Sequence, residues 1–105
     1  MQNNRLEKLL EMQKENPNDL FFEYAIALEY QAIGRIDDAI NQFEKSISLD
    51  ENHIASYYQL GIIFEQKAET EKALKYLTRG FELAKLKNDL KTANEFRTLI
   101  DEIEF

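Results

Sequence analysis

The 105-residue sequence predicts an all-α fold of about six helices: an N-terminal helix, two antiparallel helix pairs and a C-terminal capping helix. Three observations predict it. Pro17 is the only proline, and Gly34, Gly61 and Gly80 are the only glycines, so long helices can run almost uninterrupted. Apolar residues recur at helical spacing in each segment. The chain also repeats itself. Shifted by 34 residues, Ala27 falls on Gly61, Tyr30 on Phe64, Gly34 on Ala68, Ala39 on Ala73 and Ile40 on Leu74. Phe43 then falls on Leu77, Ser46 on Gly80, Ile47 on Phe81 and Leu49 on Leu83. Small meets small and large apolar meets large, as in a unit that stacks on a neighbour to bury its apolar face.

Asn3–Glu15 forms the first helix, with Leu6, Leu9, Leu10 and Met12 as its apolar stripe. Leu20–Ala32 follows the turn at Pro17 and sets Phe22, Ile26, Ala27 and Tyr30 along one side. Ile33 and Gly34 break it, because glycine accepts the left-handed backbone of a tight turn. Ile36–Leu49 returns with Ala39, Ile40, Phe43 and Ile47 in one stripe. Asp37 and Asp38 favour the positive end of its dipole. Ala27 and Ala39 are small where the two helices cross, and Tyr30 and Phe43 fill the gap beside the crossing. The second pair repeats this plan, its last helix running past Leu83 to about Lys87, before Asn88 and Asp89 make a turn and a cap. Leu90–Ile103 carries Ala93, Phe96, Leu99, Ile100 and Ile103 on one side, and Lys91, Glu95, Thr98, Asp101 and Glu102 on the other. A polar outer face is what closes the end of a stack. The expected organisation is a single domain, with 1–19 as N-terminal helix and turn, 20–53 and 54–87 as repeats, and 88–105 as capping helix.

Composition excludes several classes of function. At 44% apolar and 31% charged residues the chain is globular rather than disordered. It lacks cysteine, hence disulfides and thiolate metal sites. Residues 1–14 have no signal-peptide core, and runs such as Tyr24–Leu28 and Leu60–Phe64 are too short to span a bilayer, so a cytoplasmic location is expected. A net charge of −7 argues against nucleic acid or an anionic membrane as partner. Charge is uneven: residues 20–53 hold two basic and seven acidic side chains, a net of −5, whereas 54–87 hold six basic and four acidic, a net of +2.

The alternation of small and large apolar residues at this period resembles the tetratricopeptide repeat. The second copy is the nearer match, through Tyr57 at a position where the family prefers tryptophan, Leu60-Gly61, Phe64, Ala73 and Leu77. The first copy matches through Ala27, Tyr30, Gly34, Ala39 and Phe43. It departs at Glu23, which takes the tryptophan position and leaves that packing role to neighbouring Phe22. Glu51 and Lys85 stand where the family usually has a closing proline. The layout is similar to that of a group of short bacterial two-repeat proteins, a resemblance that implies no particular activity. What it does imply is a solenoid of antiparallel helix pairs, with the first helix of each pair along a concave groove.

On that implied geometry, the groove residues of the first repeat are Phe21, Tyr24, Ala25, Leu28, Gln31 and Ala32. Those of the second are Ala55, Tyr58, Gln59, Ile62, Glu65 and Gln66. The core already claims Phe22, Ile26 and Tyr30, so Phe21, Tyr24 and Leu28 are surplus apolar residues of the kind that mark interaction sites. Aromatics with glutamines suit a peptide groove. If the terminal helices folded over them instead, they would be ordinary core. The family's best-known groove chemistry, a basic clamp for a chaperone's C-terminal carboxylates, does not fit Tyr24, Leu28, Tyr58 and Ile62 at the central positions. An apolar or basic segment of another protein suits Glu65 and the acidic first repeat better.

Lys72, Lys75 and Arg79 line one side of a helix, but a solvated face with the Glu71–Lys75 pair explains them better than a nucleic-acid strip. A serine–histidine–aspartate site would need His53 beside Ser46, Ser48 or Ser56, and nothing in the spacing makes that arrangement. His53 is expected to cap a helix or face solvent. The sequence thus predicts no enzyme, no catalytic or metal-binding residues and no cofactor. The expected function is a binding module for a segment of another protein. The alternative is a self-assembling homodimer, drawn together by its acidic first and basic second repeats.

Overall fold

The computed structural model describes residues 4–104. Among them lie six α-helices and no strand: α1 Asn4–Glu15, α2 Leu20–Ala32, α3 Ile36–Leu49, α4 Ile54–Gln66, α5 Thr70–Leu86 and α6 Leu90–Glu104. The chain is all-α, as its periodicity predicts, and α2 and α3 begin and end where the sequence places them. Asn3, assigned to the first helix from sequence, lies outside the described residues. The helices fall into two compact units, Met1–Glu51 and Asn52–Phe105.

In the first unit α2 packs against both α1 and α3. Its start is fixed by Asp19, whose carboxylate accepts the Phe21 N–H at 2.9 Å and so satisfies one of the orphan donors of a helix start. Ile26, Ala27, Ala39 and Phe43 are completely buried, and Leu6 is nearly so. Met12, expected in the α1 stripe, is 45% exposed. At the other end of α2 the Gly34 backbone is left-handed, with φ of 83°. The Gly34 N–H reaches the Gln31 carbonyl at 3.2 Å and the Arg35 N–H reaches that of Tyr30 at 2.9 Å. This Schellman closure satisfies two carbonyls of the last turn. The second unit uses the same closure at Ala68, φ 59°, and at Asn88, φ 60°.

One expectation about this unit needs correcting. Phe22 does not replace the missing tryptophan; it stays half-buried, edge-on to Phe21 with ring centroids 5.3 Å apart. Glu23 itself is completely buried. Its Oε1 accepts from Gln13 Nε2 of α1 at 2.8 Å and pairs with Lys45 Nζ of α3 at 3.0 Å. A buried carboxylate is tolerable only with such partners, and here one comes from each flanking helix.

In the second unit α5 packs against α4 and α6. Leu60, Ala73, Leu77, Ala84 and Phe96 are completely buried. Two glycines permit the closest approaches. A Cβ at Gly61 would run into the Leu77 side chain, and one at Gly80 into the Phe96 ring. Helix α5 ends at Leu86, one residue before the expected Lys87, whose N–H still reaches the Leu83 carbonyl at 3.1 Å. Asp89 then caps α6, accepting the Thr92 N–H at 3.1 Å. Hydrogen bonds from the Thr92 side chain and backbone, with Lys87 and Lys91 nearby, hold the Asp89 carboxyl below the usual carboxylate range. No helix among the described residues is long and apolar enough to cross a membrane.

Candidate functional site

In the first unit, Phe21, Tyr24, Leu28 and Gln31 follow one another at steps of three and four residues, so they share one side of α2. Phe21 is 69% exposed and Leu28 is 37% exposed. Gln31 is half-buried, as is Tyr24, whose ring rests on buried Phe43 of α3, with centroids 5.7 Å apart. Tyr24 therefore belongs both to the surface and to the α2–α3 packing. Ala25 is half-buried and Ala32 exposed. Helix α1 engages α2 through Gln13 on Glu23 and through Arg5 on Glu29, at 3.5 Å, and leaves Phe21 open.

In the second unit, Tyr58, Gln59 and Ile62 are half-buried, while Ala55, Glu65 and Gln66 are exposed. Tyr58 meets Phe96 of α6 edge to face, with centroids 5.3 Å apart and planes at 82°. The capping helix thus supports this tyrosine without covering the whole of the α4 face. A shallow cleft of about 390 Å³ opens beside it, between Ile54, Ala55, Tyr58 and Gln59 of α4 and Thr92 and Glu95 of α6. A narrower apolar cleft of about 200 Å³ lies further along, where Ile62 and Glu65 meet Leu77, Leu99, Glu102 and Ile103. The α6 side of both clefts was not among the sequence-derived site residues. For the narrower cleft the signal was Leu99 and Ile103 on the apolar stripe, which sequence reasoning assigned to packing; Glu95 of the larger cleft was read as part of the polar outer face.

The other constellations resolve into local structure. His53 Nδ1 and Ser56 Oγ lie 2.7 Å apart, an arrangement the spacing was not expected to make. They stand three positions apart at the first turn of α4, and Ser56 is completely buried, so its hydroxyl is closed off from the surface. His53 occupies the N-cap position, although its side chain makes no hydrogen bond to the α4 backbone. Lys72 pairs with Glu69 at 3.2 Å and Arg79 with Glu82 at 4.0 Å. Lys72 also lies over Phe64, and Lys75 over Tyr76. These cations are engaged within the chain. Among the described residues no group of three histidine, aspartate or glutamate side chains is placed to hold a metal ion.

Comparison with known proteins gives a consistent picture. The family model of the tetratricopeptide repeat matches residues 24–53 and 54–85. The solution structure of a tetratricopeptide repeat domain protein from Salinibacter ruber is similar at 27% identity, with a TM-score of 0.77, covering 84% of this chain and 89% of that one. A crystal structure of such a domain protein from the same organism gives 27% identity and a TM-score of 0.75, covering 82% and 97%. The solution structure of a protein from Bordetella parapertussis shares the fold at 15% identity, with a TM-score of 0.84 and coverage of 99% and 90%. No curated protein matches the chain in sequence.

Proposed function

This chain belongs to the tetratricopeptide-repeat family, whose repeats generally mediate protein–protein interaction, and on that premise we propose that it holds an apolar or basic segment of another protein. The proposed contact residues are those of the first helix of each repeat, α2 in the first unit and α4 in the second, each taken by itself. The observation that carries this reading is Phe21. A phenylalanine 69% exposed, in line with Tyr24, Leu28 and Gln31, leaves apolar surface in water that a partner would cover. Aromatic side chains provide contact area at low entropic cost, and the neighbouring glutamines supply adaptable hydrogen bonds. The preference for apolar or basic ligands follows from exposed Glu65 and from the net charge of −5 over residues 20–53, with seven acids against two bases.

A peptide array of apolar, basic and acidic sequences tests this, read with the wild type and with Phe21→Ala. Phe21 contributes little to the core, so its replacement leaves helicity unchanged. Tyr24→Ala and Tyr58→Ala are less clean, because those rings rest on Phe43 and Phe96. Apolar–basic peptides should bind the wild type and lose most of their signal with Phe21→Ala. Selection of acidic peptides, or binding indifferent to Phe21, would refute the proposal.

A further inference from the structure

The second unit carries two further features, opposite in charge and each with apolar side chains. The first is an exposed apolar pair, called the knob below, at the turn between α5 and α6, where Leu86 also borders a cleft of about 190 Å³ with Asn52, Ile54 and Leu83. Leu86 is 81% exposed and Leu90 is 63% exposed, although the rest of each helix places its leucines inward. Lys85, Lys87 and Lys91 flank them in the sequence and are exposed as well, with Lys85 lying over the Phe81 ring. Residues 85–91 hold three lysines and one aspartate, a net of +2, in a chain whose net charge is −7. That aspartate, Asp89, is occupied in capping α6.

The second feature is the narrow cleft at the other end of α6. Ile62, Leu77, Leu99 and Ile103 line a space of about 200 Å³, with Glu65 and Glu102 among its walls. Both glutamates are exposed, as are Asp101 and Glu104 alongside. An aliphatic cavity of about 150 Å³ is enough to hold a benzene molecule, so this cleft has room for a leucine side chain. Acids around an apolar floor call for an apolar side chain flanked by cations, which is the chemistry of the knob.

The geometry points to a second copy of this chain as the occupant: the Leu86–Leu90 knob of one copy enters the Glu65–Glu102 cleft of the next. The two features cannot meet within one molecule. Leu90 and Ile103 stand near opposite ends of the same helix, about 20 Å apart at 1.5 Å per residue. One such contact uses the knob of one copy and the cleft of the next, and leaves the first copy's cleft and the second copy's knob free. Those free features extend the contact to further copies, or pair with each other to close a two-fold dimer. Lysines facing glutamates at an exposed rim are screened by salt, so assembly weakens as salt rises. The cleft shares Ile62 and Glu65 with the partner-binding face, so the inference rests in part on that face being open, and self-assembly competes with partner binding.

The test is the mass of the full chain by sedimentation, across protein concentration, at low and high salt and with no peptide present. Wild type should exceed the 12.4 kDa monomer at high concentration and low salt, and fall towards it at high salt. A knob variant, Leu86→Glu with Leu90→Glu, should be monomeric, as should a cleft variant, Glu65→Lys with Glu102→Lys. All the altered side chains are solvent-exposed, and circular dichroism checks that each variant is folded. Mixed together, the two variants should form a complex of twice the monomer mass and nothing larger, since one intact knob meets one intact cleft. A monomeric wild type, assembly persisting in either variant, or a mixture that stays monomeric would each overturn the inference. Because no peptide is involved, any of those results leaves the Phe21 binding test standing on its own.

Discussion

Replacing Gly80 by alanine sets two effects of known size against each other. In the interior of a helix, glycine to alanine ordinarily stabilises by about 1 kcal/mol. At Gly80 the added methyl would fall inside van der Waals contact of the Phe96 ring, where carbon atoms at rest stand about 3.5–4.0 Å apart. Phe96 is completely buried and bears Tyr58 against it, so the ring cannot swing aside without disturbing a second aromatic. Overpacking of this kind costs about 1–3 kcal/mol and more where neighbours are rigid. With the ring held in place the cost lies at the upper end, about 2–3 kcal/mol, so the expected balance is a net loss of about 1–2 kcal/mol, a fall in Tm of about 5–10 °C for a chain of this size. Thermal and urea unfolding followed by circular dichroism would measure it. The double variant Gly80→Ala/Phe96→Leu should show favourable coupling, because the smaller residue makes room for the methyl. A Gly80→Ala variant as stable as wild type, or more stable, would refute the close-packing argument for α5 and α6.

Three other perturbations have expected outcomes. Lys45→Ala removes the cation from buried Glu23 and should lower stability by about 1–3 kcal/mol, less than for a fully enclosed pair because Lys45 is 43% exposed; the urea midpoint reads it. Ala68→Gly relieves a left-handed backbone at φ 59°, and should stabilise by about 0.5–1 kcal/mol once the greater freedom of the unfolded glycine is subtracted. Asp89 has its folded pKa held below its unfolded value, so its contribution to stability is complete above the unfolded pKa, about 3.9, and is lost as pH falls through the folded value. The stability gap between wild type and Asp89→Ala should accordingly be constant from neutral pH to about pH 5 and shrink below about pH 4.

Most of the fold was legible because it rests on local rules. Repeated small–large spacing, breaks at Pro17, Gly34 and Asn88, and apolar stripes at helical period specify the helices without reference to distant residues. Glu23 shows where such rules stop. Its burial depends on Gln13 and Lys45, contributed by helices on either side, and no local pattern announces that three polar side chains will converge. The candidate site was legible to the same extent. Helical spacing identified the α2 row and the α4 row, but it could not tell that Phe21 stays open while Tyr24 and Tyr58 lean on Phe43 and Phe96. Those differences are set by what lies beneath each ring. The exposed leucines of the α5–α6 turn escaped notice for a related reason: a leucine at a helix end reads as core until burial is known.

The most direct test of partner binding along α2 and α4 is to map the footprint of a bound peptide. An isotope-labelled chain would be titrated with the tightest apolar–basic peptide from the array, and its amide shifts followed by NMR. Shifts concentrated at Phe21, Tyr24, Leu28 and Gln31 of α2 and at Tyr58, Ile62 and Glu65 of α4 are the predicted result. Shifts confined to the outward sides of α3 and α5, with α2 and α4 unmoved, would contradict it.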